Sequence, residues 1–373
     1  MTKRTTLFVL FVCLVLGIAF LSHVFVYFSL LKFFGINSPE IKLNLLILLI
    51  CLPLSFIFIS VFTHYWENFF IRFLYFFAGL WLGLVTTIVT SFLAVWALFA
   101  LSGFMGWTLN LGRLGELALI FSFAYSAYGV FNAQKPRTKH ITVTIKNLPI
   151  EWQNQKVVHI SDVHLGHVFG KKFFGKLVRE INNWHPAAVF VSGDLFDGIE
   201  NGFEYVAPMV NSIEAPKGIF FVTGNHENYL GLKKVDQILK ETKIKTFRDD
   251  MTVVEGLQII GINYPDRFVR KSVGKIIRSI PGFDPEGPSI LLYHSPFQVK
   301  QAKRAGIKLQ LSGHTHRGQI FPYGIITKII SRGNHYGLHQ KGDFSVYTSS
   351  GVGTSVPAMR TGTAPEIVII TLK

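Results

Sequence analysis

Cysteine is almost missing from this chain: Cys13 and Cys51 are the only two in 373 residues, and both lie inside apolar stretches. They rule out a disulfide framework and a zinc–thiolate site, and they leave the redox compartment open. Charge is scarce too. Asp, Glu, Lys and Arg make up 16% of the chain, acids are the rarer sign at 22 against 37 basic residues, and the formal net charge is +15. With 49% hydrophobic residues the composition is too apolar for an ordinary soluble protein, which makes a membrane protein the first expectation. The basic residues form no stripe interleaved with aromatics; Lys233-Lys234 and Arg270-Lys271 read as solvated faces, so nucleic acid is only the second choice of partner.

The apolar residues are unevenly placed. Residues 1–134 hold nearly uncharged blocks rich in Phe and Leu, whereas 135–373 has ordinary globular composition, so the domain boundary is expected near Gln134-Lys135-Pro136-Arg137. Four blocks, at 7–31, 43–62, 73–101 and 114–131, each reach the roughly 20 residues a bilayer core requires. They predict four transmembrane helices. The first follows Lys3-Arg4 but is longer than a signal-peptide core. With the N-terminus inside, the inner flanks carry six basic residues (Lys3, Arg4, Arg72, Lys135, Arg137 and Lys139) and the outer flanks three (Lys32, Lys42 and Arg113). That bias predicts a multi-pass protein of the cell membrane with residues 135–373 in the cytoplasm. His23 and His64 lie within or beside the spans without an acidic or basic cluster, a pattern that suits an anchor rather than an ion pathway. Gly79 and Gly83, four apart in the third span, could let another helix approach or be chance.

The second part is organised around residues 157–164, Val-Val-His-Ile-Ser-Asp-Val-His, a buried-strand pattern that stops at a carboxylate and an imidazole two residues apart. Alternation along an extended backbone would turn Asp162 and His164 to one side, as a shared metal ion requires. Further apolar runs end in the same way: 187–191 in Ser-Gly-Asp194, 219–222 in Thr-Gly-Asn225-His226-Glu227, 290–292 in Tyr-His294-Ser-Pro, and 309–311 in Ser-Gly-His314-Thr-His316. Segments 173–183 and 231–242 carry helical spacing, and 141–145, 259–262, 345–348 and 367–372 read as further strands.

Singly these motifs are weak, but Asp-x-His, Gly-Asp, Gly-Asn-His-Glu, His and Gly-His-Thr-His in this order resemble the calcineurin-like metallophosphoesterases. The resemblance implies an α/β fold of two packed mixed β-sheets flanked by helices, following the transmembrane region. It also implies two divalent metal ions, for which carboxylate and imidazole ligands suit manganese, iron or zinc. Carried over residue by residue, Asp162, His164, Asp194 and His316 would hold one ion, and Asp194, Asn225, His294 and His314 the other. Asp194 would bridge them. His226 would protonate the leaving oxygen or bind the phosphate, and hydroxide held between the metals would attack phosphorus. The glycine-rich segment 350–360, followed by Pro365-Glu366-Ile367, resembles a bacterial membrane-associated branch; some phosphoesterases of that broader group cleave the pyrophosphate of a lipid-linked uridine nucleotide sugar.

The expected function is therefore a membrane-anchored phosphoesterase acting on an ester or pyrophosphate that is membrane-proximal or lipid-linked. The rivals are a phosphodiesterase acting on soluble nucleotides or phosphoproteins, and a non-enzymatic transport or assembly protein that keeps the fold for binding. Among neighbouring residues, His159 reads as a core histidine, while Asp197 and Glu227 could orient ligands or cap turns. Arg317 could contact a second phosphate or be a surface arginine. Segment 320–330 is more apolar than a surface loop should be; burial in the core is the first expectation, and a lip touching the bilayer the second.

Overall fold

The computed structural model describes residues 3–63, 66, 68–198, 202–266 and 271–373, without the side chains of residues 3–5, 7–9, 11 and 12. His64, Arg270 and the side chains of Lys3 and Arg4 therefore lie outside the described residues. The chain forms two compact units, Met1–Phe131 with Val356–Thr361, and Asn132–Ser355 with Gly362–Lys373. Composition places the boundary after residue 134 and gives all of 135–373 to the second part. The short segment Val356–Thr361 departs from that division.

The first unit contains α1 (Lys3–Phe33), α2 (Pro39–Phe62), α3 (Phe69–Met105) and α4 (Leu111–Ala133), all long and apolar enough to cross a membrane. Each begins before the apolar block that predicts it, and ahead of α2, α3 and α4 a polar side chain accepts a backbone N–H that hydrocarbon could not satisfy. Ser38 accepts from Ile41 N ahead of α2, and Asn68 Oδ1 accepts from Ile71 N at 2.9 Å ahead of α3. Gly106, at φ 69°, ends α3 in the left-handed region, where glycine costs least. The 37 residues of α3 span about 55 Å, longer than a bilayer core.

Inside this unit Val26, Phe33, Leu49, Val85, Ile88 and Phe92 pack together. Buried polar side chains pair with one another: Trp81 Nε1 donates to His23 Nε2 at 2.8 Å, and Trp96 Nε1 to Ser29 Oγ at 2.9 Å. Among the described residues of α1–α4, no Asp, Glu, Lys or Arg is buried. His23 thus serves helix packing. The Gly79/Gly83 pair receives something other than a helix. A Cβ on Gly79 would come within 2.9 Å of Val356 Cγ1, and one on Gly83 within 2.1 Å of Met359 Sδ. Gly129 lies against the same segment, its carbonyl accepting from Arg360 N at 2.9 Å, while Tyr125 Oη donates to Thr361 O at 2.6 Å.

Among its described residues the second unit has twelve strands: β1 (Arg137–Val143), β2 (Lys156–Ile160), β3 (Ala188–Ser192), β4 (Ile219–Val222), β5 (Ile244–Thr246), β6 (Asp250–Val254), β7 (Leu257–Ile262), β8 (Ser289–Tyr293), β9 (Leu309–Ser312), β10 (Gly337–Lys341), β11 (Phe344–Thr348) and β12 (Glu366–Leu372). They make two six-stranded sheets, ordered β1-β12-β2-β3-β4-β5 and β10-β11-β9-β8-β7-β6. Both are mixed. In the first, β12 runs antiparallel to β2 while β2 to β5 run parallel; in the second, β11, β9, β8 and β7 run parallel between antiparallel edges.

The central strands are buried on both faces, which is why they read as continuous apolar runs. Val157, Phe190, Val222, Ile259, Leu292, Leu311 and Val368 fill the layer between the sheets. Val158, Val189 and Phe221 face the other way, toward helices Lys171–Asn183 and Leu232–Leu239. The helix expected over 231–242 forms as Leu232–Leu239; Gly231, at φ 95°, leaves the helical region and separates it from the short helix Asn225–Leu230. The first strand begins at Arg137 rather than at 141, since the parallel pairing with β12 starts at Arg137 opposite Glu366.

A leucine at position 83 should dislodge Met359 and lower the melting temperature of the detergent-solubilised full chain, given an overpacking cost of roughly 1–3 kcal/mol. Gly17→Leu, at a site with no heavy atom within 4 Å, should leave it unchanged. Equal melting curves for the two variants would contradict this packing.

Candidate metal centre

Strands from both sheets deliver polar side chains at their C-terminal ends. Asp162 and His164 follow β2, Asp194 follows β3, Asn225 and His226 follow β4, His294 follows β8, and His314 and His316 follow β9. Asp162 and His164 come together for a different reason from the alternation that predicts it. The strand ends at Ile160, and both residues adopt the left-handed backbone, at φ 52° and 51°. So do Asp194 (53°), His314 (74°) and His316 (47°). Non-glycine residues rarely occupy this region, and they persist there where the surroundings over-determine them, as at functional sites.

Three groups of side chains each present ligand atoms within 4.8 Å of one another: Asp162, His164 and His316; Asp194, His294 and His314; and His164, Asp194 and His226. His164 Nε2 and His316 Nε2 are 3.1 Å apart, and His316 Nε2 is 3.4 Å from Asp162 Oδ1. His294 Nε2 approaches Asp194 Oδ2 to 3.1 Å without hydrogen-bond geometry. Ligand-type nitrogens and oxygens thus converge. Asn225 Oδ1 and His294 Nε2 are buried with no hydrogen-bond partner, an arrangement that costs free energy unless something else satisfies them. Two divalent cations fit this donor set of carboxylate, imidazole and amide oxygen.

Supporting contacts fix the donors. His164 Nδ1 lies 3.1 Å from Asp197 Oδ1, and His294 Nδ1 donates to Ser192 O at 2.7 Å, each leaving Nε2 directed to the cluster. Asp162 accepts from His314 N at 3.0 Å, and Asp194 Oδ1 from His226 N at 2.9 Å. Glu227 is the support that its position in the motif does not reveal. Its carboxylate accepts from Asp194 N, Phe196 N and Gly224 N at 2.9, 3.0 and 2.6 Å, tying two ligand loops together. The motif glycines give access. A Cβ on Gly313 would meet Asp162 Oδ2 at 2.2 Å, and one on Gly224 would meet Asp194 Oδ1 at 2.1 Å.

Electrostatics reflects this crowding. Burial pushes Asp162 up, whereas Asp194 is held well below the usual carboxylate range: burial opposes ionisation, but the His294 imidazolium beside it wins. Burial pulls His294 down, yet the charges of Asp194 and Asp162 raise it to about 9. His314 falls to about 3 through burial and the charge of His294. His159 also falls to about 3 through burial; it bonds Ser192 Oγ at 2.8 Å and is a neutral core histidine. Arg317 is exposed, with its guanidinium 4.2 Å from the centroid of the Tyr336 ring.

A family model described as calcineurin-like phosphoesterase matches residues 155–318. An uncharacterised metallophosphoesterase of Campylobacter jejuni is 31% identical over 272 residues, covering 72% of each chain. One of Helicobacter pylori is 31% identical over 250 residues, covering 65% of each. A Danio rerio protein described as a transmembrane protein with metallophosphoesterase domain is 30% identical over 285 residues, covering 70% of this chain and 63% of the other. The chain thus spans slightly less than two thirds of the last two.

Asp194→Asn should remove nearly all turnover and lower the bound metal, because one carboxylate serves two of the three ligand groups. Elemental analysis of the purified variant tests this. Two ions per chain with normal turnover would refute a shared role for Asp194.

Proposed function

Because the chain belongs to the calcineurin-like phosphoesterase family, we propose that its metal-dependent phosphoesterase site cleaves a phosphoester or pyrophosphate held at, or linked to, a lipid bilayer. The observation that carries this reading is the pairing of a two-metal ligand set with four helices able to cross a membrane. The last of these helices ends at Ala133, and only residues 134–136 separate it from β1. Asp162, His164, Asp194 and His316 would hold one ion, and Asp194, Asn225, His294 and His314 the other. Manganese, iron or zinc suits these donors. Two such cations would neutralise phosphoryl charge and lower the pKa of bound water.

The chain's own residues supply the rest. Burial pulls His226 down, but the approach of Asp197 at 3.3 Å and the charge of Asp194 raise it to about 10, so the imidazolium holds a proton that it can give to a leaving oxygen. Nearby cations would draw that value back toward neutrality, where an acid works best. The His164–Asp194–His226 group brings His226 as near as a ligand; we assign it the acid role, with phosphate binding as its other use. Arg317, exposed and steadied on Tyr336, is a phosphate contact in this reading. The six-to-three bias of flanking basic residues supports a cytoplasmic catalytic unit.

Replacing His226 with alanine should keep the metals and cost about two to four decades of rate on a poor leaving group, with a smaller loss on a nitrophenolate ester. Equal losses on both would assign His226 to phosphate binding. For orientation, a fluorescent protein fused after Lys373 should be bright and an alkaline phosphatase fused there inactive. The reverse pattern would place the catalytic unit outside the cytoplasm.

A further inference from the structure

The apolar segment that follows His316 is exposed. Ile320 alone is buried, at 3%, and helix Tyr323–Ile330 has no buried residue. The first expectation, burial in the core, therefore fails beyond residue 320. Ile325, Ile326, Ile329 and Ile330 recur at the one- and four-residue spacing that makes one helix face, and Ile329 is 71% exposed. Four adjacent isoleucines facing water are hard to reconcile with a surface that only meets solvent.

We infer that helix Tyr323–Ile330 lies in the plane of the membrane, with its isoleucine face sunk among the acyl chains. Three observations select lipid as the occupant. The chain has four span-capable helices, and α4 runs directly into the catalytic unit. The segment Val356–Thr361 belongs to the helix unit, and both residues that adjoin it, Ser355 and Gly362, bond Gln319, just ahead of the helix: Gln319 Nε2 donates to Ser355 O at 3.0 Å, and Gly362 N to Gln319 O at 3.0 Å. Charge provides the third. Residues 309–342 contain no Asp or Glu, while Arg317, Lys328, Arg332 and Lys341 are all basic, as an anionic headgroup layer would select. Lys328 flanks the isoleucine face, the arrangement of interfacial helices.

The same helix is fixed to the metal centre. Gly318, two residues after His316, is so close to the first turn that a Cβ there would meet Gly324 N at 2.2 Å. Any depth the helix takes in the bilayer is therefore imposed on the His316 turn. This inference rests on the chain being held in a membrane; its nitroxide arm does not require the substrate class proposed above, whereas its functional arm does.

The test uses the full chain with Cys13→Ala and Cys51→Ala, and Ile329→Cys carrying a nitroxide, reconstituted into vesicles of phosphatidylcholine and phosphatidylglycerol. Collision with oxygen should dominate and a water-soluble nickel chelate should be excluded, as for a label at Leu93 in α3. A label at the exposed Asp343 gives the aqueous reference. Chelate access at position 329 equal to that at 343 overturns the inference. So does label–label broadening that vanishes on dilution with unlabelled chain, which would show a second copy on this face. A functional arm uses Ile326→Asp with Ile329→Asp. These variants should lose at least tenfold in hydrolysis of a vesicle-embedded phosphate ester and keep turnover of soluble nitrophenyl phosphate esters. Equal loss on both, or loss on neither, counts against the inference. Absence of soluble-ester turnover in the unmodified chain would refute the phosphoesterase reading while leaving the nitroxide result standing.

Discussion

Two buried carboxylates, Asp162 and Asp194, share a small volume with the imidazoles of His164, His294, His314 and His316, and most of the catalytic unit is arranged to hold them there. Burying such groups is unfavourable unless each is paired. The fold meets that requirement with backbone N–H groups and with a carboxylate behind the ligands: His314 N and His226 N donate to the two aspartates, and Glu227 gathers three further N–H groups. The donors come from β2, β3 and β4 of one sheet and from β8 and β9 of the other. The site therefore exists only when the sheets are packed, and metal binding and packing of the inter-sheet core stabilise one another.

The ligand residues and the central strands are legible in the sequence because burial on both faces leaves uninterrupted apolar runs, and a polar residue at the end of such a run stands out. The manner in which the ligands turn is not legible. Asp162, His164, Asp194, His314 and His316 are all left-handed, although nothing in their residue types demands it, and the neighbouring loops approach Asp194 and Asp162 closely at Gly224 and Gly313. In sequence Glu227 and Asp197 suit caps equally well, since only the fold brings residue 227 to Asp194 N and residue 197 to His164. Long-range partners of this kind leave no local pattern. The same holds for Gly79 and Gly83, whose partner is more than 270 residues away, in Val356–Thr361.

Segment 320–330 shows a further limit. An apolar run signals that water is to be avoided, but it does not say whether protein or lipid replaces the water. In a chain with four membrane-competent helices both solvents are available, and here the isoleucines face outward. A phosphoesterase so placed would meet its substrate at a surface, with His316 and the helix that follows it moving as one piece.

The central claim is that two cations held by this ligand set carry the activity. It is tested most directly by stripping the full chain with a chelator and titrating manganese back while following turnover of a soluble aryl phosphodiester and counting bound ions. The account predicts no turnover in the stripped chain and full recovery at two ions per chain. Turnover in the presence of excess chelator, or full recovery at one ion per chain, would contradict it.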